Sequence, residues 1–149
     1  MKYDEIDHKL INELIEDGRI SYVELAEKVG ISRVAVKERI KVLKEEGVIE
    51  KFTITVNSEK FGKQVSAFFE VDVEPKQLQI VAQNLADNPN VASIYQMTGP
   101  STLHMHVLVE NFKKLEKFIN DELYSVQGIT RVESSILLKR FKSRVGYKL

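Results

Sequence analysis

The stretch Gly30-Ile31-Ser32-Arg33-Val34-Ala35-Val36-Lys37-Glu38-Arg39-Ile40-Lys41-Val42-Leu43-Lys44-Glu45-Glu46-Gly47 decides how the first third of the chain is read. At 100° per residue, Ala35, Val36, Ile40, Val42 and Leu43 gather on one broad side of a helix. Arg33, Lys37, Lys41 and Lys44 gather within roughly 80° on another side. Ser32 is placed to cap this helix, and Gly47 to stop it. A helix with one apolar and one cationic side suits the major groove, because the duplex lines that groove with phosphates. Ser32 and the helix N-terminus add donors for a phosphate. A merely solvated helix could carry the same charges, but their distribution argues otherwise. Glu38 is the only acid between Ser32 and Lys44, whereas the preceding segments hold Asp7, Glu13, Glu16, Asp17, Glu24 and Glu27. Arg33, Val34 and Lys37 occupy the leading turns that meet base edges; Lys41 and Lys44 lie further along, toward phosphate. Arg39 projects nearer the apolar side, which predicts a structural ion pair with an acid of the first helix.

Upstream, Ile6, Leu10, Ile11, Leu14 and Ile15 form an apolar stripe on a first helix, with Asp4 as N-cap and Gly18 as its end. Ser21-Tyr22-Val23-Glu24 is a capping box opening a short helix that Gly30 closes. A helix, a capped short helix, a glycine turn and a second capped helix are the parts of a helix-turn-helix. Downstream of Gly47 the period changes to two. Val48 and Ile49, then Phe52, Ile54 and Val56, predict a short strand or wing. Residues 1–50 are thus the expected DNA-binding domain, and 51–63 a strand and polar linker around Gly62.

Residues 64–149 read as a second domain. Strands are expected over 65–73, 91–98, 103–109 and 129–139. Helices carry Leu78, Val81, Ala82 and Leu85, then Phe112, Leu115, Phe118, Ile119 and Leu123. The order βαββαβ predicts a ferredoxin-like sandwich, so the fold class is α+β, a winged-helix-like helix-turn-helix followed by that sandwich.

Composition sets the outer bounds. The chain has 149 residues, 43% hydrophobic and 30% charged, as in ordinary globular proteins, with a formal net charge of zero. Bulk charge therefore says nothing about a nucleic-acid partner; only placement does. Absence of cysteine removes disulfides, thiolate metal sites and cysteine nucleophiles. No apolar run approaches a membrane span, and the acidic start does not read as a signal peptide, so a soluble cytoplasmic protein without cofactor is expected. An enzyme is disfavoured: the chain shows no phosphate-binding glycine loop, no nucleophile-base arrangement and no metal motif. A packaging protein that coats DNA without an effector remains the alternative to a regulator.

Taken together these residues resemble the Lrp/AsnC (feast/famine) transcription regulators over essentially the whole chain. The resemblance is carried by Asp4-Glu5-Ile6-Asp7, Asp17-Gly18-Arg19, Glu24-Leu25-Ala26, Gly30-Ile31-Ser32, Val36, Arg39-Ile40, Leu43 and Glu46-Gly47-Val48-Ile49. In the second half it rests on Pro89, Val91, Thr98-Gly99 and Gly128-Ile129. It implies a regulation domain that dimerises through its sheet, dimers that assemble to tetramers or octamers, and a small effector, usually an amino acid, held between dimers. It also implies where that effector would sit. The family's loop between the second and third strands typically reads Gly-Asp-x-Asp; here the matching stretch is Thr98-Gly99-Pro100-Ser101-Thr102-Leu103-His104. Pro100 and Thr102 replace the two acids. A hydroxyl offers an ammonium group a neutral hydrogen bond, roughly half as strong as a charge-assisted one. Two threonines of the family's last strand correspond to Val132 and Ser134.

His104 and His106 lie two apart and so share one strand face. With no evident third ligand they make a poor metal pair. On a sheet or assembly interface they would make association sensitive to pH near 6 to 7, roughly where free imidazole titrates. The basic run Lys139-Arg140-Phe141-Lys142-Ser143-Arg144 reads as a solvated tail, a contact to a neighbouring subunit, or a further phosphate contact, in that order.

Overall fold

Asp4 begins the first helix as its charge pattern requires. In the computed structural model, which describes residues 3–98 and 102–141, the Asp4 carboxylate accepts from the amides of Ile6 and Asp7 at 2.9 Å each. The Asp7 carboxylate accepts in turn from the Asp4 amide at 3.1 Å, so α1 (Glu5–Glu16) opens with a reciprocal cap. Ser21 and Glu24 repeat the arrangement for α2 (Tyr22–Val29). Gly30, at φ 79°, ends α2 in the left-handed region, and Ser32 caps α3 (Arg33–Glu45) through a 3.1 Å bond from the Ala35 amide. Leu10, Leu25, Val36 and Ile40 form the core of this unit, with Ile6, Leu14, Ile20 and Ile49 packed around them. Each such burial contributes about 1.5–3 kcal/mol.

Two local expectations need correction. Gly18 does not close α1; Asp17 is the C-cap, with an extended backbone at φ −138°, and Gly18 follows it in a turn. The period-two run through Phe52, Ile54 and Val56 forms no strand among the described residues. A strand exists only with a neighbour to share its ladder, and no described strand pairs with this run. Its apolar side chains stay exposed instead.

The chain divides into two compact units, the second spanning Val56–Phe141. There β1 (Val65–Val73), α4 (Leu78–Ala86), β2 (Val91–Gln96), β3 (Thr102–Val109), α5 (Phe112–Phe118), a π-helical turn (Ile119–Tyr124) and β4 (Ile129–Ile136) follow in order. The strands form one antiparallel sheet in the order β2-β3-β1-β4, the ferredoxin-like arrangement. Alternation along β1 shows how it works: Val65, Ala67, Phe69, Val71 and Val73 are buried and pack with Val81, Leu85, Leu115, Phe118 and Leu123. Ser66, Phe68, Glu70 and Asp72 point to the other face. β4 stops at Ile136, three residues before its expected end. Leu137 donates to the Ser66 carbonyl at 2.9 Å, and β1 begins at Val65, so the ladder is within two residues of the end of its partner strand there. Gly128, at φ 95°, is required where it stands. Its carbonyl accepts from the Glu74 amide at 2.7 Å, and a Cβ there would come 2.6 Å from that of Gln77.

Candidate nucleic-acid interface

The cap of α3 fixes both its start and its electrostatics. Ser32 Oγ accepts from Ala35, which leaves the hydroxyl proton to donate outward. No acid sits in the first turn, so the positive end of the helix is not neutralised by its own side chains. Val36, Ile40 and Leu43 are buried beneath the helix. Ser32, Arg33, Val34, Lys37, Lys41 and Lys44 are all exposed, Val34 at 70%. The structure therefore brings every residue expected to face DNA onto one outward surface. Lys41 lies 3.9 Å from Glu45 one turn on, an exposed pair worth a few tenths of a kcal/mol. Lys44 stands 6.0 Å over the Phe52 ring, a cation–π contact to the segment that follows the helix.

Arg39 turns inward to α1. Its guanidinium meets Asp4 at 2.9 Å and Asp7 at 2.8 Å, and these bonds raise its own pKa further, Asp7 contributing most. The Asp4 carboxyl is held below its ordinary value by the Asp7 backbone bond first, then by Arg39. Val42 was expected on the buried side but is 46% exposed. It lines a shallow depression with Tyr3, Asp7, Glu38 and Arg39.

The described members of the expected effector set lie on different faces of the sheet. Thr98 is exposed, and Gly99, Pro100 and Ser101 lie outside the described residues. Thr102 donates to Asp72 at 2.9 Å, and Arg131 reaches the same carboxylate at 3.3 Å. His104 pairs in register with Glu70, on the uncovered face of the sheet. Val132 pairs with Val71 and Ser134 with Phe69, so both belong to the helix-covered face. The pleat thus separates His104 from Val132 and Ser134. Sequence reading missed Phe68 and Tyr95, 46% and 63% exposed on the uncovered face. The signal was present, since both are two-residue neighbours of polar positions on their strands.

Comparison with known proteins matches this architecture in both units. The family model for winged helix-turn-helix DNA-binding matches residues 3–50, and that for the Lrp/AsnC ligand binding domain matches residues 66–147. The chain belongs to the Lrp/AsnC family. An HTH-type transcriptional regulator of Pyrococcus horikoshii is 36% identical over 92% of this chain and 87% of its own. The HTH-type regulator LrpA of the same organism is 32% identical over 93% and 99%. A Neisseria meningitidis transcriptional regulator solved in complex with L-Met superposes with a TM-score of 0.90 at 26% identity, covering 99% of this chain and 96% of that one. The leucine response regulatory protein LrpA of Mycobacterium tuberculosis gives 0.85 at 30% identity, covering 99% and 100%. This Lrp/AsnC chain is accordingly a DNA-binding transcriptional regulator. No helix among the described residues is long and apolar enough to cross a membrane.

Proposed function

We propose that the protein is a cytoplasmic, non-enzymatic regulator that binds specific palindromic sites on double-stranded DNA as a homodimer, with further assembly to tetramers or octamers. In this reading residues 1–50 bind DNA, 51–63 connect, and 64–149 serve assembly and regulation. The exposed cationic stripe of α3, seated on a buried apolar side, carries it. Two copies of α3 spaced by one DNA turn, near 34 Å, would read a two-fold site, and linking two weak half-site contacts raises avidity without new chemistry. Pairing through the uncovered sheet face fits the exposed Phe68 and Tyr95 there, because large apolar side chains grouped on one face mark an interface. Selection of bound sequences from a random DNA pool tests the reading. Enrichment of a palindrome supports it; uniform binding of all sequences would indicate a packaging protein instead.

Base and phosphate roles separate along α3. Lys41→Ala should weaken binding to all sequences alike and reduce the salt slope by about one charge per protomer. A change in sequence preference at unchanged slope would assign Lys41 to a base.

An amino-acid effector at a dimer–dimer interface belongs to the same proposal, in a weakened form. Pro100 and Thr102 replace the family loop's acids, and the nearby Asp72 carboxylate is already engaged by Thr102 and Arg131. An incoming ammonium group would have to compete with Arg131 for it. Millimolar free amino acids should therefore change DNA affinity or oligomer size by less than tenfold, under about 1.4 kcal/mol of coupling. Titrating a mixture of amino acids into the DNA-bound protein measures this, and one large shift overturns it.

A further inference from the structure

The uncovered sheet face carries rows of side chains set by register. Tyr95, His104, Glu70 and Glu133 form one row; Ser93, His106, Phe68 and Ser135 form the next. Between them lies an open depression of about 190 Å³. The two histidines differ sharply in surroundings. His104 stands in the row that holds both glutamates. His106 lies flat on the Phe68 ring, centroids 4.4 Å apart and planes 5° from parallel, and its Nε2 shares a 2.7 Å hydrogen bond with Ser66 Oγ.

From this geometry we propose that His106 makes dimerisation through the sheet face proton-sensitive: the dimer holds neutral His106, and acidification splits it. The inference rests on the sheet-mediated dimer of the preceding section. A second copy laid on this face would cover the imidazole where its immediate partners are an aromatic ring and a hydroxyl, neither of which stabilises a buried cation as a carboxylate would. The charged and titratable groups on this face are His104 on β3, Glu70 and Asp72 on β1, Tyr95 on β2, and Glu133 and Arg131 on β4, with Arg140 beyond it. Arg131 is ion-paired to Glu133 and to Asp72, which removes much of those acids' pull on a proton. Burial first, and Arg140 second, already hold His106 below the ordinary imidazole value in the single chain.

The sign follows from linkage. A histidine whose proton is disfavoured in the dimer leaves association at full strength above the monomer's titration range and weakens it progressively as pH falls through that range. Lost dimers mean lost avidity, so operator binding falls with them.

Sedimentation of the full chain between pH 7.5 and 5.5, a window that spans imidazole but not ordinary carboxylate titration, provides the test. The dimer dissociation constant should rise severalfold on acidification, and His106→Gln should match wild type at pH 7.5 and lose that dependence. His104→Gln should keep it. A dimer whose constant is unchanged across the window overturns the switch but leaves the dimer reading standing; absence of any dimer overturns both. PH dependence that persists in His106→Gln reassigns the switch and overturns this proposal. Should the variant not fold, the wild-type His106 ring can be followed by NMR. Its titration midpoint must move to lower pH as protein concentration rises, and a concentration-independent midpoint overturns the inference.

Discussion

Arg33→Ala lowers affinity for the selected operator by about 30-fold or more, and relaxes preference at one base position in each half-site. A side chain reading a base edge in the major groove contributes about 1–3 kcal/mol of discrimination, and a dimer loses it twice. Arg33 is the first residue of α3, is exposed and follows the Ser32 cap directly, the position from which a recognition helix reaches bases. Fluorescence anisotropy at fixed salt, with operator and single-base variants, measures the effect. Equal loss on random DNA would make Arg33 a phosphate contact.

Phe69→Ala is the largest stability change expected. Phe69 lies in β1, the strand flanked by β3 and β4, is 1% exposed, and meets the Phe118 ring 6.0 Å away at 51°. Truncating a buried phenylalanine costs about 3–5 kcal/mol, a large part of the roughly 5–15 kcal/mol that holds a domain together. In a unit of this size the melting temperature should drop by more than about 10 °C. Scanning calorimetry reads this as a shift of the second unit's transition; a shift of only a few degrees would mean the sheet repacks around the loss.

β1 was legible residue for residue because both of its faces speak: buried and open positions alternate without exception over Val65–Val73. The N-cap at Asp4 and the capping box at Ser21 were legible because they are local, needing only residues two or three apart. What failed was whatever depended on a partner or on an edge. The run through Phe52, Ile54 and Val56 has a strand's period, but periodicity cannot say whether another strand lies beside it. Val42 sits about 100° around α3 from Leu43, at the margin of the apolar side, and a helical wheel does not tell how far a neighbouring helix reaches. The match of Val132 and Ser134 to two pocket-facing threonines came from resemblance alone, and strand register sets both on the face opposite His104. Register of a strand far away in sequence is set by the assembled sheet, not by local spacing.

The tie between Arg39 and Asp4 has a consequence for how the DNA-binding unit comes apart. One carboxylate both ends the free amides of α1 and anchors a cation from the middle of α3. Its titration midpoint is depressed, so its contribution is complete at neutral pH and vanishes only in strong acid, as pH falls through that lowered value. Neutralising it would fray the amino-terminal turn of α1 and take from Arg39 one of its two carboxylates, leaving Asp7 as the other. Acid unfolding of this unit should therefore begin at its first residues rather than at α3.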